Sequence, residues 1–213
     1  SYVSTTSGST GLTSPALADG SSWYFHIRYV DNANLLASST AHYGPFRIDR
    51  TQPGAPPLVS PANGGTVATT QPTVTWNAAS DGSGSGVQKY RLKVVENWFP
   101  YIDIVDKDVT GTSYTLSGSE VLQWGKTYAW RLYAVDVAGN PGPWSAEWTF
   151  TVQDTVPPTN PSNFSGDPAV NTWTSDNTVY VSWSGASDNW GLKGYYYKWS
   201  QNASDSVTTT DSY

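Results

Sequence analysis

Residues 128–136 place Tyr128, Trp130, Leu132 and Ala134 on one side of an extended chain and Arg131 and Tyr133 on the other. Successive side chains of a strand point to opposite faces, so this two-residue period predicts a half-buried β-strand. Tyr90, Leu92 and Val94 alternate with Lys89, Arg91 and Lys93 in the same way. Followed along the middle of the chain, the pattern predicts strands near 55–59, 72–77, 87–95, 101–106, 112–116, 127–136 and 146–152. The segments 81–86 (DGSGSG) and 138–143 (AGNPGP) are turns by composition. Seven short strands without a helical segment predict an all-β sandwich whose strands keep one wet face.

The pattern repeats. The stretch 23–31 (WYFHIRYVD), followed by 46–53 (FRIDRTQP), matches 128–136 (YAWRLYAVD), followed by 150–157 (FTVQDTVP). Thr51 and Thr155 are 104 residues apart, the length of one sandwich domain. The first halves repeat as well: 73–81 (TVTWNAASD) with 86–90 (GVQKY) resembles 179–188 (VYVSWSGASD) with 191–195 (GLKGY). The chain is therefore expected to hold a C-terminal half-domain at 1–49, a complete domain at 50–153 and an N-terminal half-domain at 154–213.

Trp76 and Trp183, the approach 122–128 (LQWGKTY), and Asp136-Val-Ala-Gly-Asn140 followed by Trp144, Trp148 and 154–158 (DTVPP) carry a resemblance. It is to bacterial surface-protein tandem repeats of fibronectin type III-like, immunoglobulin-like domains, and it covers nearly the whole chain. The resemblance implies that Trp76 and Trp183 are core tryptophans of strand B and that Tyr128 is a corner tyrosine before strand F. Residues 1–49 then supply strands E-F-G, and 154–213 supply strands A-B-C-C′. The first half departs at Trp23, which replaces the corner Tyr, and at 31–35 (DNANL), which lacks the turn Gly. It implies nothing specific about function, because such modules serve as spacers, adhesin stalks and parts of secreted enzymes.

A half-sandwich leaves an apolar face and open strand edges in water, so each half is expected to need a partner. The two halves together make one copy: through the join, Tyr195 and Trp23 are 41 residues apart, against 38 for Tyr90 and Tyr128. The chain opens Ser1-Tyr2 and closes Ser212-Tyr213, as if one period had been completed. Copies of the chain are thus expected head to tail, by covalent continuation in a giant repetitive protein or by half-domain exchange between subunits. An arbitrary cut through unrelated repeats is the remaining reading. With no Met and an opening Ser, the chain is expected to be a segment of something longer.

Charged residues are only 13%, while Ser, Thr, Gly, Asn, Trp and Tyr abound, a balance that favours an extracellular or cell-surface protein. The absence of Cys does not itself decide the compartment. A net charge of −6 without a Lys/Arg cluster argues against nucleic acid and anionic lipid as partners, and no apolar run approaches a membrane span.

Catalysis has little to stand on. His26 and His42 are the two histidines, His26 alternating away from Trp23, Phe25 and Ile27, and no nucleophile elbow or metal-binding His–Glu spacing occurs. No cofactor is required, although calcium suits one acidic set. In a sandwich the B–C loop (Asp81; Asp188, Asn189), the F–G loop (Asp136, Asn140; Asp31, Asn34) and the linker (Asp49; Asp154) are expected to meet at one end, offering the clustered oxygens that calcium takes. The bland reading is that Asp and Asn are turn formers.

Trp76, Trp130, Trp183, Tyr90, Tyr195, Phe46 and Phe150 alternate inward and read as core. Trp98, Tyr101 and Trp190 lie in loops, where they stack on a carbohydrate or host surface, or else stiffen interdomain contacts. Asn163 and Asn202 head N-glycosylation acceptor patterns, and the Ser/Thr-rich 1–14 and 204–212 suit O-glycans. The short Pro-rich linkers 51–57 and 155–158 restrict the geometry between domains. The expected function is a structural repeat of an extracellular filament, stalk or surface layer, with an adhesin or carbohydrate-binding module and a noncatalytic spacer of a secreted enzyme as alternatives.

Overall fold

The computed structural model describes residues 11–97 and 100–206, and no helix occurs among them. The chain forms two compact units, Ser1–Val152 and Gln153–Tyr213. The first unit begins with β1 (Gly20–Ile27) and β2 (Ala41–Ile48). It continues through β3 (Leu58–Ser60), β4 (Gly65–Val67), β5 (Thr73–Trp76), β6 (Val87–Glu96) and β7 (Asp103–Val109). It ends with β8 (Ser113–Thr115), β9 (Thr127–Asp136) and β10 (Trp148–Val152). The second unit contains β11 (Ser162–Asp167) and β12 (Tyr180–Ser184).

Residues 58–152 form a sandwich of two sheets, ordered β3-β5-β8 and β4-β10-β9-β6-β7. This two-sheet, antiparallel strand order gives the middle copy a fibronectin type III-like fold, as the resemblance implied. The seven expected strands are present with shifted ends. An eighth, β4, runs parallel to β10, pairing Gly65–Val67 with Phe150–Val152. Three residues whose partner lies far along the chain leave no local periodic signal.

Between the sheets, Val74, Trp76, Leu92, Val94, Trp130, Leu132, Phe150 and Val152 belong to one buried cluster. Trp76 meets Tyr90 edge-on, centroids 5.4 Å apart at 67°, the arrangement aromatic quadrupoles favour. The opposite face of β6 and β7 is charged: Lys89 pairs with Asp108 at 2.7 Å, Arg91 with Asp106 at 2.7 Å and Lys93 with Asp103 at 3.1 Å. Such exposed pairs contribute at most about 1 kcal/mol each, so the core dominates stability.

Tyr128 is buried, and its hydroxyl accepts the backbone N–H of Gln123 at 2.9 Å. Burial pushes the phenol pKa up. The repeat-related segment around β1 solves the same problem with reversed polarity. Trp23, at the Tyr128 position, donates its indole N–H to the carbonyl of Ala18 at 2.9 Å, again five residues back. The loop that lacks Gly is also rebuilt: Asn34 takes φ 63° where Gly139 takes φ 94°. Asn is among the few side chains that tolerate this left-handed region. Asp31 Oδ1 accepts Leu35 N–H at 2.8 Å, and Asp136 Oδ1 accepts Asn140 N–H at 2.7 Å. The bridges Val30–Leu36 and Val135–Pro141 complete the match.

The flanking segments differ from expectation in two respects. First, among the described residues β1 pairs only with β2 and β11 only with β12, and residues 191–199 form no strand although strands C and C′ were expected from 191 onward. Their counterpart β6 lies between β7 and β9, and no strand among the described residues of the second unit supplies those neighbours. Second, Phe46, Trp183 and Tyr195, expected in the core, are 40%, 36% and 47% exposed. A two-stranded ribbon has no second sheet to cover its apolar face. Trp183 and Tyr195 still meet edge-on at 5.3 Å and 77°, close to the Trp76–Tyr90 geometry.

Tyr128→Phe removes the acceptor for Gln123 N–H and keeps the ring, so it should cost the sandwich about 1–2 kcal/mol in chemical denaturation. An unchanged denaturation midpoint would show that the hydroxyl does not hold the corner.

Candidate functional site

The chain enters the sandwich through a hydrogen-bonded clasp. Asp49, in the linker, accepts Thr51 N–H on Oδ1 at 3.0 Å and Ser85 N–H on Oδ2 at 2.5 Å. The Asn140 amide donates to the Asp49 carbonyl at 3.1 Å and to Asp136 Oδ2 at 2.8 Å, with the Thr51 carbonyl 3.4 Å away. Gly54 N–H adds a bond to the Ser80 carbonyl at 2.8 Å. On the other side, Asp19 accepts Arg50 Nε at 3.0 Å and Thr51 Oγ1 at 2.9 Å. The linker is thus held from both sides, as its Pro-rich composition suggests.

Three carboxylates converge at this clasp. One oxygen from each of Asp49, Asp81 and Asp136 lies within 4.8 Å of the other two. Asp136 is fully buried and Asp81 is 9% exposed. Asp81 Oδ2 accepts Gly86 N–H at 2.7 Å, whereas Oδ1 is buried without a hydrogen-bond partner. Among the described residues, no lysine or arginine pairs with any of the three. The turn packs so closely over them that a Cβ on Gly84 would lie 2.5 Å from Asp81 Oδ2 and 2.9 Å from Asp49 Oδ2. Of the acidic set read from the sequence, Asp49, Asp81, Asp136 and Asn140 are therefore brought together.

The other members sit in their own loops. Asp31 accepts Ala33 N–H at 2.9 Å in addition to Leu35 N–H. In the second unit Asp154 accepts Val156 N–H at 2.9 Å, Asp188 accepts Trp190 N–H at 2.7 Å, and Asn189 is exposed. Thr159 N–H donates to the Ser187 carbonyl at 2.9 Å, repeating the Gly54–Ser80 bond. Sequence reasoning missed Asp19 and Ser85. Asp19 lies in no motif and Ser85 is one of several small residues in the turn 81–86; each is defined by what the linker brings against it.

Of the loop aromatics, Trp98 lies outside the described residues, as do the chain ends 1–10 and 207–213. Tyr101 is 65% exposed beside a shallow depression lined by Lys93, Asp103, Arg131 and Glu147, whereas Trp190, 58% exposed, belongs to the second unit. Asn163 donates to Ser184 Oγ at 3.2 Å, and Asn202 Oδ1 accepts Ser204 Oγ at 2.8 Å. His26 and His42 are cross-strand partners on an exposed face.

The Ser85 hydroxyl, followed by its backbone N–H, holds the Asp49 carboxyl below the usual 3.8. The Arg50 side chain, followed by Thr51, does the same for Asp19. A depressed folded pKa stabilises the native contact above the unfolded value, and that stabilisation is lost as pH falls through the folded value. The Thr51 and Ser85 amides should therefore stay protected from hydrogen exchange at pH 5–7 and lose protection below about pH 3.8. Protection that is flat from pH 6 to pH 2.5 would show that the carboxylates do not hold the clasp.

No protein-family model matches the chain. It is 30% identical over 153 residues to Chitinase A1 of Niallia circulans, an alignment covering 70% of this chain and 19% of the chitinase. The chain thus spans about a fifth of that relative's length. Among solved structures, the sixth fibronectin type III domain of the human fibronectin type III domain containing protein 3 is 22% identical, with TM-score 0.36, over 55% of this chain and 97% of that domain. The β-1,2-glucanase of Parabacteroides distasonis is 18% identical, with TM-score 0.36, over 50% of this chain and 13% of the enzyme.

Proposed function

We propose that the chain is a noncatalytic, structural period of an extracellular array of fibronectin type III-like sandwiches, in which the A-B-C-C′ half of one period is completed by the E-F-G half of the next. The observation that carries this reading is the match between what the halves expose and what the complete copy buries. Trp23 pairs with Phe46 across β1 and β2 as Tyr128 pairs with Phe150 across β9 and β10. Tyr128 and Phe150 are 1% and 0% exposed, against 36% and 40% for Trp23 and Phe46.

The register of the complete copy fixes how such halves would join. Tyr90, Leu92 and Val94 lie opposite Ala134, Leu132 and Trp130. At the same offset, Tyr195, Tyr197 and Trp199 would lie opposite Tyr29, Ile27 and Phe25 of the neighbouring period. Burying these aromatics is the driving force, at roughly 25 cal/mol per Å² of apolar surface covered. The clasped linker suits the reading, because it keeps successive sandwiches in restricted geometry.

The similarity to Chitinase A1 favours one setting for such an array, as a noncatalytic spacer within a secreted enzyme. In that setting the clasped linkers separate functional domains rather than build a fibre.

A head-to-tail fusion of two copies creates the proposed composite sandwich at the join. It should melt with one more cooperative unit than the single chain, and Tyr197→Cys in the first copy should form a disulfide with Ile27→Cys in the second. Directly opposed strand residues hold their Cβ atoms about 5 Å apart, within reach of a modest adjustment to disulfide geometry. A fusion whose melting matches the single chain and which forms no disulfide would exclude half-domain completion.

A further inference from the structure

We propose that the carboxylates of Asp49, Asp81 and Asp136 form a calcium site that fastens the linker to the sandwich. The proposal rests on two separate observations. The first is convergence: three carboxylate oxygens within 4.8 Å of one another, with no lysine or arginine pairing among the described residues. Carboxylate oxygens this close can share one cation at the roughly 2.3–2.6 Å that calcium takes, and a site built from protein oxygens alone suits calcium, since magnesium usually keeps several waters.

The second is the bare oxygen of Asp81. A buried carboxylate oxygen without a donor is costly, and the structure supplies no protein group to meet it. A cation bound by that carboxylate would satisfy it. The surrounding acceptors are also hard oxygens: the Asp49 and Thr51 carbonyls lie 3.1 Å and 3.4 Å from the Asn140 Nδ2 that also donates to Asp136. All-oxygen sets of this charge suit calcium, while zinc prefers the nitrogen and sulfur ligands that this site lacks.

The three residues come from three places: the linker, the turn between β5 and β6, and the end of β9. Binding would therefore join the linker to both sheets, a task that hydrogen bonds to Ser85 and Asn140 perform only in part. The site lies within the first unit and does not require half-domain completion. In the array proposed above, Asp188 and Asp31 correspond to Asp81 and Asp136, and Asp154 stands one residue beyond Gln153, the counterpart of Asp49.

The test is calcium titration of the full chain after chelator treatment, by calorimetry and thermal denaturation, with Asp81→Asn beside Asp108→Asn as a control from the charged face. Calcium should bind the wild type at about 10⁻⁴ M and raise its melting temperature. Magnesium should bind at least tenfold more weakly. Asp81→Asn should weaken calcium at least tenfold and abolish the thermal shift, while Asp108→Asn behaves as wild type. Amide shifts of Ser85, Gly86 and Asn140 in the wild type locate the ion without any variant. No binding up to about 10 mM, calcium-induced shifts elsewhere in the chain, or an Asp81→Asn affinity within twofold of wild type would overturn the proposal.

Discussion

A sheet with one apolar face needs a second sheet over it, and an interior strand needs a neighbour on each side. The middle copy meets both conditions. Its β6 is flanked by β7 and β9, and its aromatic residues close against Val74 and Trp76 from the smaller sheet. The flanking segments carry the same alternation, and their described residues meet neither condition. Residues 191–199 hold Tyr195, Tyr197 and Trp199 at strand spacing, yet they remain irregular where β6 is a ten-residue strand. Periodicity states which face of a strand would be buried; the neighbours decide whether the strand exists.

The clasp at residue 49 follows from a similar division between local and distant causes. Asp31 and Asp136 fold their loops by themselves, each accepting an N–H four residues ahead. What distinguishes the Asp136 loop is Asn140, whose side chain reaches the linker, whereas the corresponding residue of the first half is Leu35. One loop geometry thus serves two purposes according to a single side chain. The corner shows the same economy: Tyr128 accepts and Trp23 donates, but both tie an aromatic ring to the backbone five residues earlier.

Much of this was legible in the sequence. The alternation located the principal strands of the complete copy, and the repeats identified Trp23, Asp31 and Phe46 as counterparts of Tyr128, Asp136 and Phe150. The convergence of Asp49, Asp81, Asp136 and Asn140 could be anticipated because sandwich topology brings their loops to one end. Strand β4 could not, since its three residues depend on β10, and neither could the roles of Asp19 and Ser85, which arise where separate segments meet. The exposure of Trp183 and Tyr195 depends on which strands are present to cover them, a matter that their own spacing does not encode.

The charged face of β6 and β7 also bears on how such molecules pack together. Strand β7 is the outer edge of the larger sheet, and four of its seven residues, Asp103, Asp106, Lys107 and Asp108, carry charge. Charge along an edge discourages another strand from adding to it. Strand β1, in contrast, contains none of the charged residue types in Gly20–Ile27. Charge therefore guards the outer edge of the larger sheet, a protection that β1 lacks along its own length.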